Sequence, residues 1–473
     1  MREISIHANH TNTRTLFSLL EEQGVLLPHP CNKQGTCGKC QVMTSTDGWQ
    51  LACSYIPKEN TIVTLDDTTK RSDINVVDYY QTPQLNLNSP TLFIDLGTTT
   101  ISMVLLDTNG DMIYRRNFAN PSTSYGTDVI ARMKSSCEGH RHDIKTQLAS
   151  CFREQWTYFP HTHIEDCYLA GNVVMIHLLM GYPCDTLAVA PFRPFKNEFL
   201  NINTGDCNVH ILPGISPFVG GDITAGLWSL YFDRRNDTCL FLDLGTNGEL
   251  ALLHQGHITV SSVAAGPAFE GGNLSCGCQG IPGAITNVQF GGLSPKLTTI
   301  DNKLPVGLCG TGALNLVSSL LHHGYVTSSG MIEDSFPAEG LPLARIPHGG
   351  NIIFTREDFR QVQLALGSVR AGIRTLLHHC QVDWTELDHV YLAGGFGYEL
   401  PLETIISLQL LNPTVANKVS SIGNSCLTGL MRYAADSDNL SALLDKSSEL
   451  MLAEDPYYKD QLIRCLSWEE CDT

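Results

Sequence analysis

The stretch TLFIDLGTTTISMVLLD, residues 91–107, reads as two apolar runs with a break between them. The first run stops at Asp95, the chain turns through Gly97, Thr98 and Thr99, and a second run resumes. Short apolar runs on either side of a glycine-bearing turn describe a β-hairpin. Its tip would offer backbone N–H groups and threonine hydroxyls to an anion, while Asp95 could hold Mg²⁺ or its waters. Taken alone, an ordinary hairpin turn explains the stretch equally well.

The pattern returns 148 residues later in CLFLDLGTNGELALL (239–253), with Asp243, Gly245 and Thr246 in matching places and Asn247 next. A repeat at that distance predicts two lobes of one design, not a solenoid. Two acidic hairpins facing each other would clamp the phosphates and metal of a nucleotide. Other glycine motifs support a ligand cleft. VYLAGGFG (390–397) ends a strand in Gly394, Gly395 and Gly397, where backbone can approach a ligand closely. GLCGTGALNLVSSLL (307–321) turns at Gly310 into a helix, YLAGNVVMIHLLMG (168–181) makes the same strand-to-helix step, and VAAGPAFEGG (263–272) adds a loop at Gly266.

Taken in order, these motifs over residues 91–435 resemble the actin-like ATPase superfamily of acetate and sugar kinases, heat-shock chaperones and actin. The resemblance implies ATP and Mg²⁺ as cofactors. Asp95 and Asp243 would position Mg²⁺; Thr98, Thr99, Thr246 and Asn247 would contact phosphates beside Gly97 and Gly245; Gly394, Gly395 and Gly397 would line the adenosine pocket, with Gly266 and Gly310 also on the nucleotide. Asp222, in VGGD, would orient the attacking water, although a helix N-cap before ITAGLWSL explains it too. Asp128 has the same two readings, the structural one favoured, and His177 on its apolar helix reads as a packed core histidine.

Upstream, the head carries HPCNKQGTCGKC (29–40) and then LACSY, a spacing of Cys31-x5-Cys37-x2-Cys40-x12-Cys53. Four thiolates can hold a zinc ion or an iron–sulfur cluster. Three ligands on one glycine-bearing loop with a single fourth suit a [2Fe-2S] centre better than the paired short knuckles of zinc sites. Gly35 and Gly38 would let the loop curl its N–H groups toward the sulfurs. REISIHA, TRTLFSLLEEQG, KCQVMTS and ENTIVTL read as strand, helix and returning strands, a β-grasp-like frame, and the whole head resembles the [2Fe-2S] ferredoxins. The expected fold is therefore α+β and α/β: a β-grasp ferredoxin domain (1–75), a polar linker (76–90), and a two-lobed actin-like ATPase domain (91–473). Within the ATPase domain, lobe one runs over about 91–238, lobe two over about 239–435, and a C-terminal helical segment over 436–473.

Five further stretches narrow the resemblance: NPSTSYGTDVIARM (120–133), AGNVVMIHLLMGYPCDTLAVAPFRP (170–194), ILPGISPFVGGDITAG (211–226), AAGPAFEGGNLSCGCQGIPGAI (264–285) and LALGSVRAGIRTLL (364–377). They look like the reductive activators of corrinoid proteins, ferredoxin-headed ATPases that return a cobalt(II) corrinoid to cobalt(I). The resemblance implies a corrinoid protein of a methyltransferase system as partner and an upstream low-potential electron donor; a homodimer is compatible with the sequence, which does not give the oligomeric state. Two departures stand out. Such proteins often carry an additional domain after the ferredoxin, where this chain has a linker of about 20 residues. Cys276-x-Cys278 is also unexpected: it reads as buried thiols or as an extra redox or metal site.

The chain has 473 residues and a formal charge of −18, which disfavours nucleic acid as a partner. Residues 1–75 hold 7 Lys/Arg against 8 Asp/Glu, leaving 23 against 40 for the remainder, so a near-neutral head precedes an acidic body. No run is long and apolar enough to span a membrane and the start is not a signal peptide, which makes the cytoplasm the expected compartment. Most of the 17 cysteines, among them Cys137, Cys151, Cys167, Cys207, Cys239 and Cys380, read as small buried hydrophobes. Two other functions remain compatible: an ATP-driven electron donor to another low-potential metalloprotein, like the activators of 2-hydroxyacyl-CoA dehydratases, and a small-molecule kinase with a redox-sensing head.

Overall fold

The computed structural model describes residues 2–23, 25, 27, 40–65, 85, 87–126, 128–159, 163–205, 207–290, 295–345, 351–394, 400–436 and 440–469. In the head, β1 (Arg2–Ile6), β2 (Gln41–Thr44), β3 (Gly48–Leu51) and β4 (Thr61–Leu65) form an antiparallel sheet in the order β1-β4-β2-β3, with helix α1 (Leu16–Glu22) between β1 and β2. Alternation sets the sheet's faces: Val42, Val63 and Leu65 point inward with Ile4 and Ile6, and bury against Leu16, Phe17 and Leu20. β3 was not anticipated, because GWQL is too short and too polar to read as a strand.

The body is built on two six-stranded sheets. The first contains β5 (Thr91–Leu96), β6 (Thr100–Leu106), β7 (Met112–Ala119), β8 (Asp166–Gly171), β9 (Leu200–Asn203) and β10 (Asn208–Ile211), in the order β7-β6-β5-β8-β10-β9. In the second lobe come β11 (Cys239–Leu244), β12 (Gly248–His254) and β13 (His257–Val263), then the smaller strands β14 (Ala284–Gln289), β15 (Lys296–Thr299), β16 (Gly307–Leu308), β17 (Leu341–Arg345) and β18 (Asn351–Phe354). Last are β19 (His389–Ala393), β20 (Val419–Gly423) and β21 (Ser447–Glu449). The second large sheet runs β20-β19-β11-β12-β13-β21. Each sheet has an antiparallel three-strand meander whose first strand pairs in parallel with a later strand, β5 with β8 and β11 with β19. The sequence repeat is thus a repeat of topology.

In chain order the helices used below are α2 (Val129–Ser135), α3 (Arg141–Trp156), α4 (Val173–Met180), α5 (Gly221–Ser229), α6 (Gly310–His322) and α7 (Arg356–Cys380). Between the sheets, α5 packs on the later helix Ser425–Ala435. One core joins Phe93 and Ala170 of the first sheet, Phe241 and Ala251 of the second, and Ile223, Leu227, Trp228, Leu427 and Met431 of these two helices. Gly429 permits the contact: a Cβ there would collide with the carbonyl of Ala225. The motif LALGSVRAGIRTLL lies on α7, where the buried Arg370 donates to the carbonyls of Cys465 (3.0 Å) and Ser467 (2.8 Å) and ties down the C-terminus.

Three expectations need correction. The C-terminal segment is not purely helical, since β21 adds to β13 as a parallel edge strand. The linker is not all solvent-facing: Leu85 is 2% exposed and belongs to the inter-sheet core, and the Leu87 N–H donates to the Thr108 carbonyl (3.0 Å). Cys137 is exposed, whereas Cys151, Cys167, Cys207 and Cys239 are buried as expected and Cys380 is half-buried.

Candidate functional site

Both D-L-G-T segments are hairpins, and their tips meet. The hydroxyls of Thr99 and Thr246 lie 3.0 Å apart, bridging the β5–β6 and β11–β12 turns. Around them opens a cleft of about 260 Å³ lined by Asp95, Gly97, Thr98 and Thr99 from one hairpin and by Asp243, Gly245, Thr246 and Asn247 from the other. Asp222, Gly310 and Gly394 line the same cleft. Gly394 has φ +82, and a Cβ there would come within 3.0 Å of Asp243 Oδ1, so the backbone approach needs glycine. Gly395 and Gly397 lie outside the described residues. Gly266 caps the short turn Pro267–Glu270 and is not part of the cleft lining; Glu270, four residues on, is.

Carboxylates dominate the cleft. Asp95, Asp222 and Asp243 are joined by Glu249 and Glu270, which sequence reasoning did not single out. Burial raises Asp243 to about 7, and the charges of Asp222, Asp95 and Glu270 push the same way. Burial also raises Asp222 to about 6, against a hydrogen bond from the Ile223 N–H (2.9 Å). Glu249 is driven well above the usual carboxylate range by burial and by Asp222 and Asp243. Such a cluster has an affinity for cations. Among the described residues no group of three or more His, Cys, Asp or Glu is arranged to hold a metal ion unaided. Mg²⁺, by contrast, commonly takes one or two carboxylates, with waters and substrate phosphates completing the shell. The donor set of Asp95 and Asp243 fits that requirement.

Helix starts supply further polar lining. Asn172 caps α4, Cys309 precedes α6, and Asn424 caps the helix Ser425–Ala435. Asn424 Nδ2 donates to Asp95 Oδ2 (2.8 Å), and Cys426 is hydrogen-bonded to Asp95, its thiol raised well above the ordinary range chiefly by burial. These residues lie more than 300 positions from Asp95 in sequence, and no local signal links them. The N-cap of α5 is Gly220, not Asp222, so the capping explanation of Asp222 fails and its carboxylate is available to the cleft. Asp128 does cap a helix, accepting from the Ala131 N–H (2.8 Å). His177 is fully buried, with Nδ1 on the Val173 carbonyl (2.8 Å) and Nε2 accepting from the Phe195 N–H (3.0 Å), a neutral core histidine.

In the head, Cys40 and Cys53 flank the β2–β3 hairpin and are 1% and 7% exposed. The Cys53 N–H donates to Cys40 Sγ (3.4 Å), and the Ala52 N–H donates to the Cys40 carbonyl (3.0 Å). The Leu16 and Phe17 amides of α1 donate to the carbonyls of Tyr55 (2.7 Å) and Ala52 (2.8 Å), fixing this turn. Two buried thiols with an N–H on one sulfur fit thiolate ligation of an iron–sulfur cluster. Cys31 and Cys37 lie outside the described residues. Cys276 is buried and Cys278 half-buried; the chain closes on itself there, Cys278 N–H to Leu308 O (2.9 Å) and Leu308 N–H to Cys276 O (2.8 Å).

Comparison with known proteins adds matches of three kinds: family models, relatives and a solved structure. Residues 237–473 match the family model of the C-terminal, ASKHA domain of RACo, and residues 91–235 match that of the RACo middle region. A corrinoid activation enzyme, RamQ, from Eubacterium limosum is 28% identical over 77% of this chain and 68% of its own length. A [Co(II) methylated amine-specific corrinoid protein] reductase from Methanosarcina barkeri is 25% identical over 64% of this chain, which spans 58% of that relative. A solved structure of a reductive activator for corrinoid, iron–sulfur protein superposes with a TM-score of 0.72 at 22% identity, covering 98% of this chain and 96% of the other. That likeness establishes the fold. Among the described residues no helix is long and apolar enough to cross a membrane.

Proposed function

The chain belongs to the family of reductive activators of corrinoid proteins, and on that premise we propose that it is an ATP-dependent enzyme that reduces a cobalt(II) corrinoid partner to cobalt(I). The observation that carries the reading is the meeting of two D-L-G-T hairpins at Thr99 and Thr246, inside a cleft lined by three aspartates.

Cobalt(I) corrinoids are strong reductants, so reduction by an ordinary donor is uphill. Each 30 mV of one-electron mismatch costs roughly 0.7 kcal/mol. ATP can offset that only by binding two conformations of the chain differently. A cleft between two lobes suits this task, because closing it on a triphosphate and opening it on a diphosphate are distinct states.

The finer assignments belong to the same proposal. Asp95 and Asp243 hold Mg²⁺. Thr98, Thr99, Thr246 and Asn247 donate to phosphate oxygens, with Gly97 and Gly245 keeping the tips narrow. Asp222 orients the attacking water; its raised proton affinity suits a group that handles a proton near neutral pH. Gly310, Gly394, Gly395 and Gly397 flank the nucleoside. Cys31, Cys37, Cys40 and Cys53 hold a [2Fe-2S] cluster, which supplies one-electron transfer when bound. The head is residues 1–75, the linker 76–90 and the ATPase body 91–473; an upstream low-potential donor and a cytoplasmic setting complete the proposal.

The test is anaerobic. Reduced chain, MgATP and a purified cobalt(II) corrinoid protein are mixed, and cobalt(I) is followed by absorbance. Formation of cobalt(I) only with ATP is expected; none, with partner and nucleotide both bound, overturns the proposal. Replacing Cys40 and Cys53 by Ser should abolish reduction while ATP binding persists.

A further inference from the structure

Thr246 is expected to present its N–H and hydroxyl to a phosphate, yet in this structure both donors are taken. Glu270 Oε1 accepts from the Thr246 N–H (3.1 Å) and Oε2 from Thr246 Oγ1 (2.8 Å). A carboxylate with one oxygen on each of two adjacent donors makes the contacts that a phosphate would make. Glu270 ends the Pro267–Glu270 turn and belongs to the second lobe.

In the first lobe lies a group that lacks such an anion. Arg132, on α2, is 0% exposed. Its Nε donates to the Gly126 carbonyl (2.8 Å) and Nη1 contacts Met175 Sδ (3.1 Å), while Nη2 has no hydrogen-bond partner among the described residues. Burial lowers its pKa to about 10, and the charges of Asp128 and Glu270 work against that, so the guanidinium feels Glu270. Asp128 is already engaged in capping α2. An unpaired buried cation is costly, and an arriving carboxylate would relieve it. Arg132 also connects to the first hairpin: Asn120 Nδ2 approaches the same Met175 sulfur (3.9 Å) and donates to the Gly97 carbonyl (2.8 Å).

We propose that Glu270 and Arg132 are positioning residues that transfer the second hairpin tip to nucleotide phosphate: Glu270 and a phosphate compete for the Thr246 donors, and a phosphate that takes them over releases Glu270 to Arg132 in the opposite lobe. The exchange gives the two nucleotide states different contacts between the lobes, the condition for ATP to bias a conformation. It rests on the nucleotide reading of the cleft.

Titration of the full chain with MgADP and with MgATP under anaerobic conditions, beside steady-state ATP hydrolysis, tests it. Glu270→Gln removes the competitor and its charge, so MgADP should bind about tenfold tighter while kcat falls. Arg132→Met should weaken MgATP binding and lower kcat in the wild-type background, and have no further effect in the Glu270→Gln background. Arg132→Lys should restore most of the loss; if the Met variant does not fold, the same cycle is run with Arg132→Gln, which also removes the charge. A Glu270→Gln chain that binds nucleotide no more tightly than wild type, or an Arg132 effect equal in both backgrounds, overturns the proposal. If the wild-type chain itself binds no nucleotide, the reading of the cleft fails instead.

Discussion

The two hairpins share D-L-G-T and differ in almost everything around it. In the first, Asp95 pairs across the strands with Ser102 and receives a hydrogen bond from Asn424 (2.8 Å). In the second, the turn is one residue shorter: Leu244 pairs with Gly248 and Asp243 with Glu249, whereas Leu96 pairs with Ile101. One acid therefore faces a hydroxyl and the other faces a second acid. The tips diverge as well. The first is held through its carbonyls, Gly97 and Thr99 accepting from Asn120 (both 2.8 Å), while its Thr99 hydroxyl meets that of Thr246 (3.0 Å). The second is held through its donors, by Glu270. The same four letters give a tip held by its carbonyls on one side and a tip whose donors meet a carboxylate on the other.

The sharpest way to break this comparison is to remove each aspartate in turn. Both Asp95→Asn and Asp243→Asn should lower ATP hydrolysis by at least 100-fold if each serves the metal. Their effects on the nucleotide-free chain should have opposite signs. Asp243→Asn removes a carboxylate faced by other carboxylates and should stabilise by roughly 1–2 kcal/mol. Asp95→Asn exchanges a charged acceptor for a neutral amide at Asn424 and should destabilise by about 1 kcal/mol. Urea denaturation of the two variants decides it; equal signs would mean that the hairpins are electrostatically alike.

The second test is pH. Asp222 and Asp243 are raised to about 6 and about 7 in the folded chain, above the ordinary 3.8, so the folded state holds protons that the unfolded state has released. Their contribution to stability is complete below about pH 4 and is lost as pH rises through 6 and 7. Tm of the nucleotide-free chain should fall between pH 5 and 8, and saturating MgADP should flatten the dependence. Asp243→Asn should remove part of the slope directly, and Asp95→Asn a smaller part, because it removes one of the charges that raise Asp243.

How much of this was legible in the sequence follows from which signals are local. Hairpins, helix starts and the Cys40–Cys53 frame announce themselves over ten to fifteen residues, because period, turn chemistry and spacing are properties of neighbours. The parallel partners β8 and β19 could be inferred from the repeat. Glu249 was in plain view but not singled out: aligning the repeats by residue number sets it against Ile101, and only the shorter turn brings it opposite Asp243. Asn424, Cys426 and Glu270 enter through tertiary packing, and Leu85 through a core that forms only when both sheets are present. Gly266 was chosen for its motif, yet the useful atoms of that motif are on Glu270.

The smallest expected effects come from converting one hairpin partly into the other. Glu249→Gln removes the second acid of the Asp243 pair and leaves side-chain size almost unchanged. It should raise Tm of the nucleotide-free chain by about one degree, since 1 kcal/mol corresponds to roughly 1 °C for a chain of this length. It should also lower the stabilisation that Mg²⁺ alone provides, because less excess charge remains to be neutralised. The reciprocal change, Ser102→Glu, puts an acid opposite Asp95 within reach of Asn424 and Cys426, which already partner that aspartate. Like charges directly opposite cost roughly 0.2–1 kcal/mol in a two-stranded pair, and somewhat more where burial strips water away. A thermal scan of each variant with and without Mg²⁺ measures both terms. If Ser102→Glu increases the Mg²⁺-dependent gain by about as much as Glu249→Gln reduces it, cation affinity follows the number of carboxylates between the hairpins; if only Glu249→Gln matters, it follows the geometry of the shorter turn.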